Sequence, residues 1–408
     1  MTLPAASVIV VSRHRAAALG RCLMALAQQD HPQIEVIVVA DPEGLAAAKA
    51  TGLVLKLVPF DEANISAARN LGLAAAAAPV VAFIDDDAVA EPTWISRLCA
   101  AFSDPKVVAA TGFVRGRNGI SFQWQACEVD AFGFDHPLPD HAASYPGTPS
   151  RAVKTQGTNC AFRRSVLLAI GGFDPALRFY LDEADVNLRL AGQGLTAVVP
   201  DAQVHHGFAA SERRRSDRVP TSLHEIAASI AVFLRRHAPD VAEQETIPAI
   251  EAQRSRVADL RRARRVTEDD AAALLASLAT GWDDGMSRPL PALAPIKAET
   301  PAFRALPGTG PKPGKVISGR FWQKAALLHQ ARLARAEGRI VTVICLAPSP
   351  RAHRMAFTAD GIWLQSGGLF GWSTRQGPRL RFAPFRVRIA EETARIAPFR
   401  PVDGARPG

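Results

Sequence analysis

The stretch Val80-Val81-Ala82-Phe83-Ile84-Asp85-Asp86-Asp87 decides how this chain folds. Five apolar residues read as a strand passing through a core. Three adjacent carboxylates repel one another and are costly to desolvate, so the strand's tip needs a cation or open water. Mg²⁺ and Mn²⁺ take oxygen ligands, and one or two carboxylates plus substrate phosphates are a common way to hold Mg²⁺. The triplet reads either as a metal–diphosphate site or as a solvated acidic turn that caps the following helix.

Outward from this strand the first 210 residues alternate two periodicities. Ser7–Val11, Glu35–Ala40, Leu53–Val58 and Lys106–Gly112 read as further strands. Leu19–Ala27, Ser66–Ala78 and Pro92–Phe102 read as helices, the last with proline in its first turn. This rhythm predicts an α/β fold, a mostly parallel sheet with helices on both faces. Ligands of such sheets bind at the carboxyl ends of the strands, which puts Asp41 and Asp85–Asp87 on one rim. Residues 113–155 read as a loop-rich segment suited to an acceptor or lid role. Residues 211–288 read as a helical basic extension, with charge runs at Glu212–Arg218 and Arg261–Arg265 around an amphipathic stretch, Leu223–Leu234. Seven prolines (Pro289, Pro291, Pro295, Pro301, Pro307, Pro311, Pro313) mark residues 289–314 as a linker. Residues 315–408 read as a small α+β module: a helix over Phe321–Ala336, a strand over Arg339–Leu346 and a hairpin turn at Asp360-Gly361.

Several ordered elements of residues 1–210 resemble the family 2 glycosyltransferases, enzymes of the GT-A fold. They are Ser7–Val11 with Ile34–Asp41; Asn64-Ile65-Ser66-Ala67-Ala68-Arg69-Asn70-Leu71-Gly72, which matches the family's A-R-N-x-G element; Asp85–Asp87, which matches its Asp-x-Asp motif; Thr158–Arg164 with Gly171–Asp174; and Asp182-Glu183-Ala184-Asp185 running on to Arg189. The resemblance covers about half the chain and implies transfer of a sugar from a nucleoside diphosphate donor, most simply a UDP-sugar, to a hydroxyl of a glycan, lipid-linked or polymer acceptor. It implies an inverting reaction dependent on Mn²⁺ or Mg²⁺.

By the same resemblance, Asp87 and Asp85 contact the metal, and His205 of the His205-His206 pair completes the shell. Asp41 accepts a hydrogen bond from the base, while Arg69, Asp85 and Arg13 belong to the nucleotide site. Thr158 and Asn159 lie near the sugar or acceptor. The Asp182–Asp185 cluster supplies the base that takes the acceptor hydroxyl's proton, with Glu183 preferred over Asp182. The family order there is Glu-Asp, and here it is Asp-Glu. Plainer readings stand beside these. Asp41-Pro42 can start a turn. Arg69 can pair with Asp85 or Asp86. Asp182 can be a helix cap and Asp185–Arg189 an ordinary ion pair one helical turn apart.

Composition narrows the alternatives. A formal charge of +9 suits anionic partners. The basic runs beside Leu223–Leu234 raise contact with an anionic membrane surface as a further expectation. Nucleic acid is disfavoured, because no binding module and little aromatic interleaving accompany the basic clusters. Five scattered cysteines without a C-x-x-C pair argue against a zinc ribbon and suit a reducing cytoplasm, with a peripheral place at the inner membrane face as the variant. The first residues lack the basic region of a signal peptide. The longest apolar run, Leu71–Ile84, contains Pro79 and falls short of the ~20 residues a bilayer span needs. A nucleotidyltransferase and a non-catalytic carbohydrate-binding protein on the same fold are the rival functions. A Rossmann dehydrogenase is disfavoured, since no G-x-G-x-x-G follows the first strand.

Overall fold

The computed structural model describes residues 3–207, 215, 217–242, 244, 247–297 and 301–403. The first part runs β1 (Ala6–Ser12), α1 (Ala16–Leu26), β2 (Ile34–Ala40), α2 (Pro42–Ala50), β3 (Lys56–Pro59), α3 (Ile65–Ala75), β4 (Val80–Asp85), β5 (Ala88–Ala90), α4 (Trp94–Ala101) and β6 (Val107–Arg115). It continues through five short strands, β7 (Phe122–Trp124), β8 (Cys127–Asp130), β9 (Asp135–Pro137), β10 (Ala143–Pro146) and β11 (Arg151–Val153). Then come β12 (Cys160–Arg163), α5 (Arg164–Ala169), α6 (Asp182–Leu190) and β13 (Leu195–His206).

The main sheet has the order β10-β13-β6-β12-β4-β1-β2-β3. β3, β2, β1 and β4 are mutually parallel, as are β6 and β13, while β12 runs antiparallel between β4 and β6. Alternation along each strand sends successive side chains to opposite faces. Val8, Val10, Val36, Val38, Ala82 and Ile84 pack beneath α1, α2 and α4. Ile9, Ile37, Val39, Val81 and Phe83 pack against α3, α5 and α6 on the other face. The α/β architecture with helices on both faces is therefore as expected. β1 lies between β2 and β4, so successive strands leave it in opposite directions, and the crevice at such a reversal is where open α/β sheets bind ligands.

Two local expectations are corrected. The helix α2 follows Asp41 directly, in a stretch where no helix was expected; Asp41 is its N-cap and Pro42 its first residue. The segment 113–155 is not a long loop: β8, β9 and β11 form a three-stranded antiparallel sheet, and β7 and β10 join the main sheet. These strands have three or four residues each, too short for a periodicity to be read.

Four helices follow, α7 (His224–His237), α8 (Pro239–Ala242), α9 (Pro248–Arg262) and α10 (Glu268–Ser287). Every residue of α7 from Ala227 to Leu234 is buried. The stretch expected to be amphipathic is thus enclosed by protein, chiefly α10, and presents no apolar face to a bilayer. Of the charge run at 212–218, only Arg215, Asp217 and Arg218 lie among the described residues. No described helix is long and apolar enough to cross a membrane.

The described parts of the proline-rich stretch lie along the sheet domain. The Ile296 amide donates to the Leu168 carbonyl, Arg304 N–H to the Glu35 carboxylate and Leu306 N–H to the Ile34 carbonyl, and Leu306 is buried in the first core. Proline supplies no N–H, but the residues between prolines do, and these tie the strap down. The last part comprises β14 (Gly314–Arg320), a 3₁₀ turn, α11 (Lys324–Ala336), β15 (Ile340–Ala347), β16 (Arg354–Phe357), β17 (Trp363–Gly368) and α12 (Phe385–Ile396). Its sheet order is β14-β15-β17-β16, and Gly361 takes the left-handed conformation at the β16–β17 turn, with φ 73°.

Candidate active site

The carboxyl ends of β1, β2 and β4 meet at the rim where the acidic triplet emerges. Its three members face different surroundings. Asp86 is fully buried; its carboxylate accepts from the Ser12 hydroxyl at 2.7 Å and pairs with Arg15 at 2.7 Å. Burial pushes its carboxyl up to about 7 against the pull of Arg15, with Asp87 and Asp85 adding to the rise. Asp85 and Asp87 turn toward β13. His206 Nε2 lies 3.2 Å from Asp87 Oδ1 and 3.9 Å from Asp85 Oδ2, and a ligand atom from each of the three residues lies within 4.8 Å of the others. His206 Nδ1 sits 3.1 Å from the amide oxygen of Gln123, a contact that orients the ring with Nε2 toward the carboxylates. Two carboxylates and one imidazole are a donor set that Mn²⁺ accepts, so the residues present fit a divalent ion.

His205, expected at this cluster, turns away from it, and His206 is the histidine beside Asp85 and Asp87. Neighbouring residues of a strand point to opposite faces, and His205 Nε2 donates instead to Glu91 at 2.7 Å. A second acidic cluster, His224, Glu225 and Asp284, already receives the guanidinium of Arg288, which bonds both carboxylates.

Arg69 joins the triplet to the second carboxylate group. It is 4% exposed, ion-paired with Asp182 and 3.6 Å from Asp85, and it donates to the Gly157 carbonyl. A Cβ on Gly157 would lie 2.5 Å from its guanidinium, so glycine is what lets the cation through. Burial lowers the Arg69 pKa, but Asp182, Asp85 and Glu183 more than offset that and hold it charged. Arg69 therefore pairs mainly with Asp182, whereas Asp86 takes Arg15.

The first turn of α6 carries Asp182, Glu183 and Asp185. Leu181, immediately before it, is buried with φ 62°, a left-handed conformation that a branched side chain rarely adopts and that sets the helix's direction of entry. Glu183 is partly exposed beside Asp182 and Lys154. Burial first, then Asp182, raises its carboxyl to about 7, against the pull of Lys154 and Arg69. Its two neighbours are committed elsewhere. Asp182 is held by Arg69. Asp185 is fully buried, accepts from Arg189 at 2.6 Å and from His237 at 2.9 Å, and is held below the usual carboxylate range, burial notwithstanding. The expectation of Asp185 as a catalytic group is corrected: it is the internal ion pair that helical spacing allows.

The remaining expected residues divide between cavity and core. A cavity of about 400 Å³ opens at the ends of β1, β2 and β4, lined by Arg13, Arg15, Phe60, Asn64, Asp85 and Phe179 among others. Arg13 borders it and pairs with Asp61 at 3.0 Å. Asp41 is absent from the lining. Its carboxylate accepts from the Gly44 and His14 amides and lies 3.4 Å from the His14 ring, which is the role of a helix cap. Asn159 is fully buried and spends its amide on the Trp94 indole and the Phe113 and Ala202 carbonyls, so the expected substrate contact is corrected to a structural one. The Thr158 hydroxyl is buried with no hydrogen-bond partner among the described residues. A wider cavity of about 990 Å³ adjoins His206, lined by Arg117, Phe122, Gln123, Trp124, Arg218 and Arg354. The Trp124 and His206 ring centroids are 5.5 Å apart. A further cavity of about 510 Å³ between α9 and α10 contains none of the expected site residues.

The sequence signal for Arg15 was present, two basic residues after the first strand, but only the fold shows which of them reaches the triplet. Gln123 and Lys154 carry no motif, and only their strand positions reveal them.

The model of Glycosyltransferase like family 2 matches residues 4–219, more than half of the chain and the whole of the sheet domain. The chain belongs to this family. A second model, the RecC C-terminal domain, matches residues 167–298 across the boundary between sheet domain and helices, less than half the chain. Among curated relatives, the glucosyl-dolichyl phosphate glucuronosyltransferase of Haloferax volcanii is 32% identical over 120 residues, 27% of this chain and 34% of that protein. The O-antigen biosynthesis protein RfbC of Myxococcus xanthus is 28% identical over 236 residues, 53% of this chain and 18% of that one. The chain thus spans about a third or less of the length of these relatives. A solved structure of the mannosyltransferase PcManGT from Pyrobaculum calidifontis, in complex with GDP-Man and Mn²⁺, aligns at 21% identity with a TM-score of 0.42, covering 68% of this chain and 80% of that one.

Proposed function

We propose that this family member transfers a sugar from a nucleoside diphosphate donor to an acceptor hydroxyl, with inversion at the anomeric carbon and with Mn²⁺ or Mg²⁺ bound. The single observation that carries the reading is the geometry at one rim: Asp85, Asp87 and His206 converge on a point, and Arg69 ties that cluster to the helix turn bearing Glu183. A divalent ion held by the three ligands would offset the charge that builds on the leaving diphosphate. Arg15, paired with Asp86 and Asp87, adds fixed positive charge at the same edge. The nucleoside takes the 400 Å³ cavity, where Phe60 and Phe179 offer faces for a base, with UDP as the first nucleotide to test. Glu183 accepts the proton of the attacking hydroxyl, because it is the one carboxylate of the α6 turn not committed to a structural cation.

The acceptor enters through the 990 Å³ cavity, whose arginines, aromatic rings and amides suit a glycan or a lipid-linked saccharide. The test is to incubate the protein with Mn²⁺ and UDP- or GDP-sugars and identify the released product. Free nucleoside diphosphate, lost in Asp87→Ala and His206→Ala, is the expected result. Release of pyrophosphate would make the chain a nucleotidyltransferase, and glycan binding without any nucleotide turnover would make it a binding protein.

A further inference from the structure

The segment after α12 reaches back to the strand pair that carries His206. Arg400 is 3% exposed, and its guanidinium bonds Glu91 through both oxygens, each at 2.6 Å. Glu91 also accepts from His205. The Arg400 guanidinium stacks 3.7 Å from the centroid of the Trp363 ring of β17, and that ring lies 5.2 Å from His205.

Glu91 and His205 belong to a single two-stranded ribbon. β5 pairs with β13 in the register His206 with Ala88, His205 with Val89 and Val204 with Ala90. Asp87 directly precedes β5 and Glu91 directly follows it, and the Gly207 amide closes the ribbon by donating to the Asp87 carbonyl at 2.8 Å. Side chains alternate across such a ribbon. One face therefore offers His206 to Asp85 and Asp87, and the other is gripped by the C-terminal module at His205 and Glu91.

We propose that Arg400 is a positioning residue for the metal site: through Glu91 and His205 it fixes the β5–β13 ribbon, and with it the distance of His206 from Asp85 and Asp87. This rests on reading those three residues as the metal ligands. The C-terminal module is then a built-in part of the active site rather than an appended domain. The physical reason is that a bidentate guanidinium–carboxylate pair in a dry setting allows one geometry, whereas the ribbon alone has three pairs of residues to hold it. Partners behind a metal ligand commonly change affinity about 10–100-fold when removed.

The test measures binding of Mn²⁺ alone to the full chain, following the free aqueous ion by electron paramagnetic resonance, with no donor and no turnover. Arg400→Ala is expected to raise the Mn²⁺ dissociation constant about tenfold or more. In a His206→Ala background the same substitution should change it by less than about twofold, since a residue that acts through His206 has nothing left to position. Arg97→Ala, which loosens the same interface at Pro398 and Phe399 without touching Glu91, should leave Mn²⁺ affinity unchanged. Should Arg400→Ala fail to fold, Arg400→Lys and Glu91→Gln carry the same comparison. Unchanged Mn²⁺ affinity in the Arg400 variant, or an equal loss in both backgrounds, overturns the proposal. Failure of the native chain to bind Mn²⁺ at all overturns the metal reading and this inference with it.

Discussion

Glu183 offers the sharpest check on the reaction chemistry, through its response to pH. Its carboxyl is raised to about 7, with burial the first cause and the Asp182 carboxylate the second. A base works only when ionised. At pH 6 about one-tenth of the molecules carry ionised Glu183, and at pH 8 about nine-tenths do, so the rate should climb roughly tenfold across that interval and level off above it. An unperturbed glutamate, near 4.3, would already be ionised throughout and give a flat profile. The assay is release of nucleoside diphosphate from a bound donor between pH 5.5 and 8.5, with water standing in for the acceptor hydroxyl, and donor affinity measured alongside. Glu183→Gln should lower the rate by about 10²–10⁴ while leaving donor affinity intact, and its residual rate should lose the inflection near 7. Lys154→Met removes a cation that favours the ionised form, so its inflection should move to higher pH. A flat native profile, or an inflection that survives in Glu183→Gln, would refute the assignment. Loss of activity in Asp182→Asn with Glu183→Gln still active would transfer the role to Asp182.

Two further substitutions test the frame that presents the site. Asp185→Ala leaves the part-buried Arg189 without its carboxylate and should cost about 1–3 kcal/mol of stability in denaturant unfolding, while the surviving folded protein keeps its affinity for Mn²⁺. Gly112→Ala would place a Cβ 1.8 Å from the Ala202 carbonyl oxygen, where β13 bulges against β6; the overpacking should cost about 1–3 kcal/mol or more, read as a lowered midpoint of thermal unfolding.

How far the chain could be read without coordinates differs from element to element. The apolar runs of β1, β2 and β4 and the helical spacing of α1, α3 and α4 are local patterns, set by which side chains must face a core, and their bounds agree to within a few residues. α2 escaped because alanine and glycine dominate it and leave little amphipathic contrast. The short strands between 122 and 153 escaped because three or four residues are too few to show a periodicity. Leu223–Leu234 reads as an amphipathic stretch, and nothing in its own composition reveals the neighbours that enclose it.

The same division runs through the active site. Residue order alone determined that acids would end a buried strand, that a parallel sheet would present them on one rim, and that a second acidic turn would begin a later helix. Local periodicity and the cost of burying charge suffice for that. Tertiary structure decided which of two adjacent histidines faces the carboxylates, which of three acids near 183 is released from cation pairing, and that Arg400 meets Glu91 beside the β5–β13 ribbon. These depend on strand register and on contacts such as Arg400–Glu91, 309 positions apart. A one-residue change of register exchanges the two faces of a strand, and no local pattern around His205-His206 records which face the rest of the chain will fill.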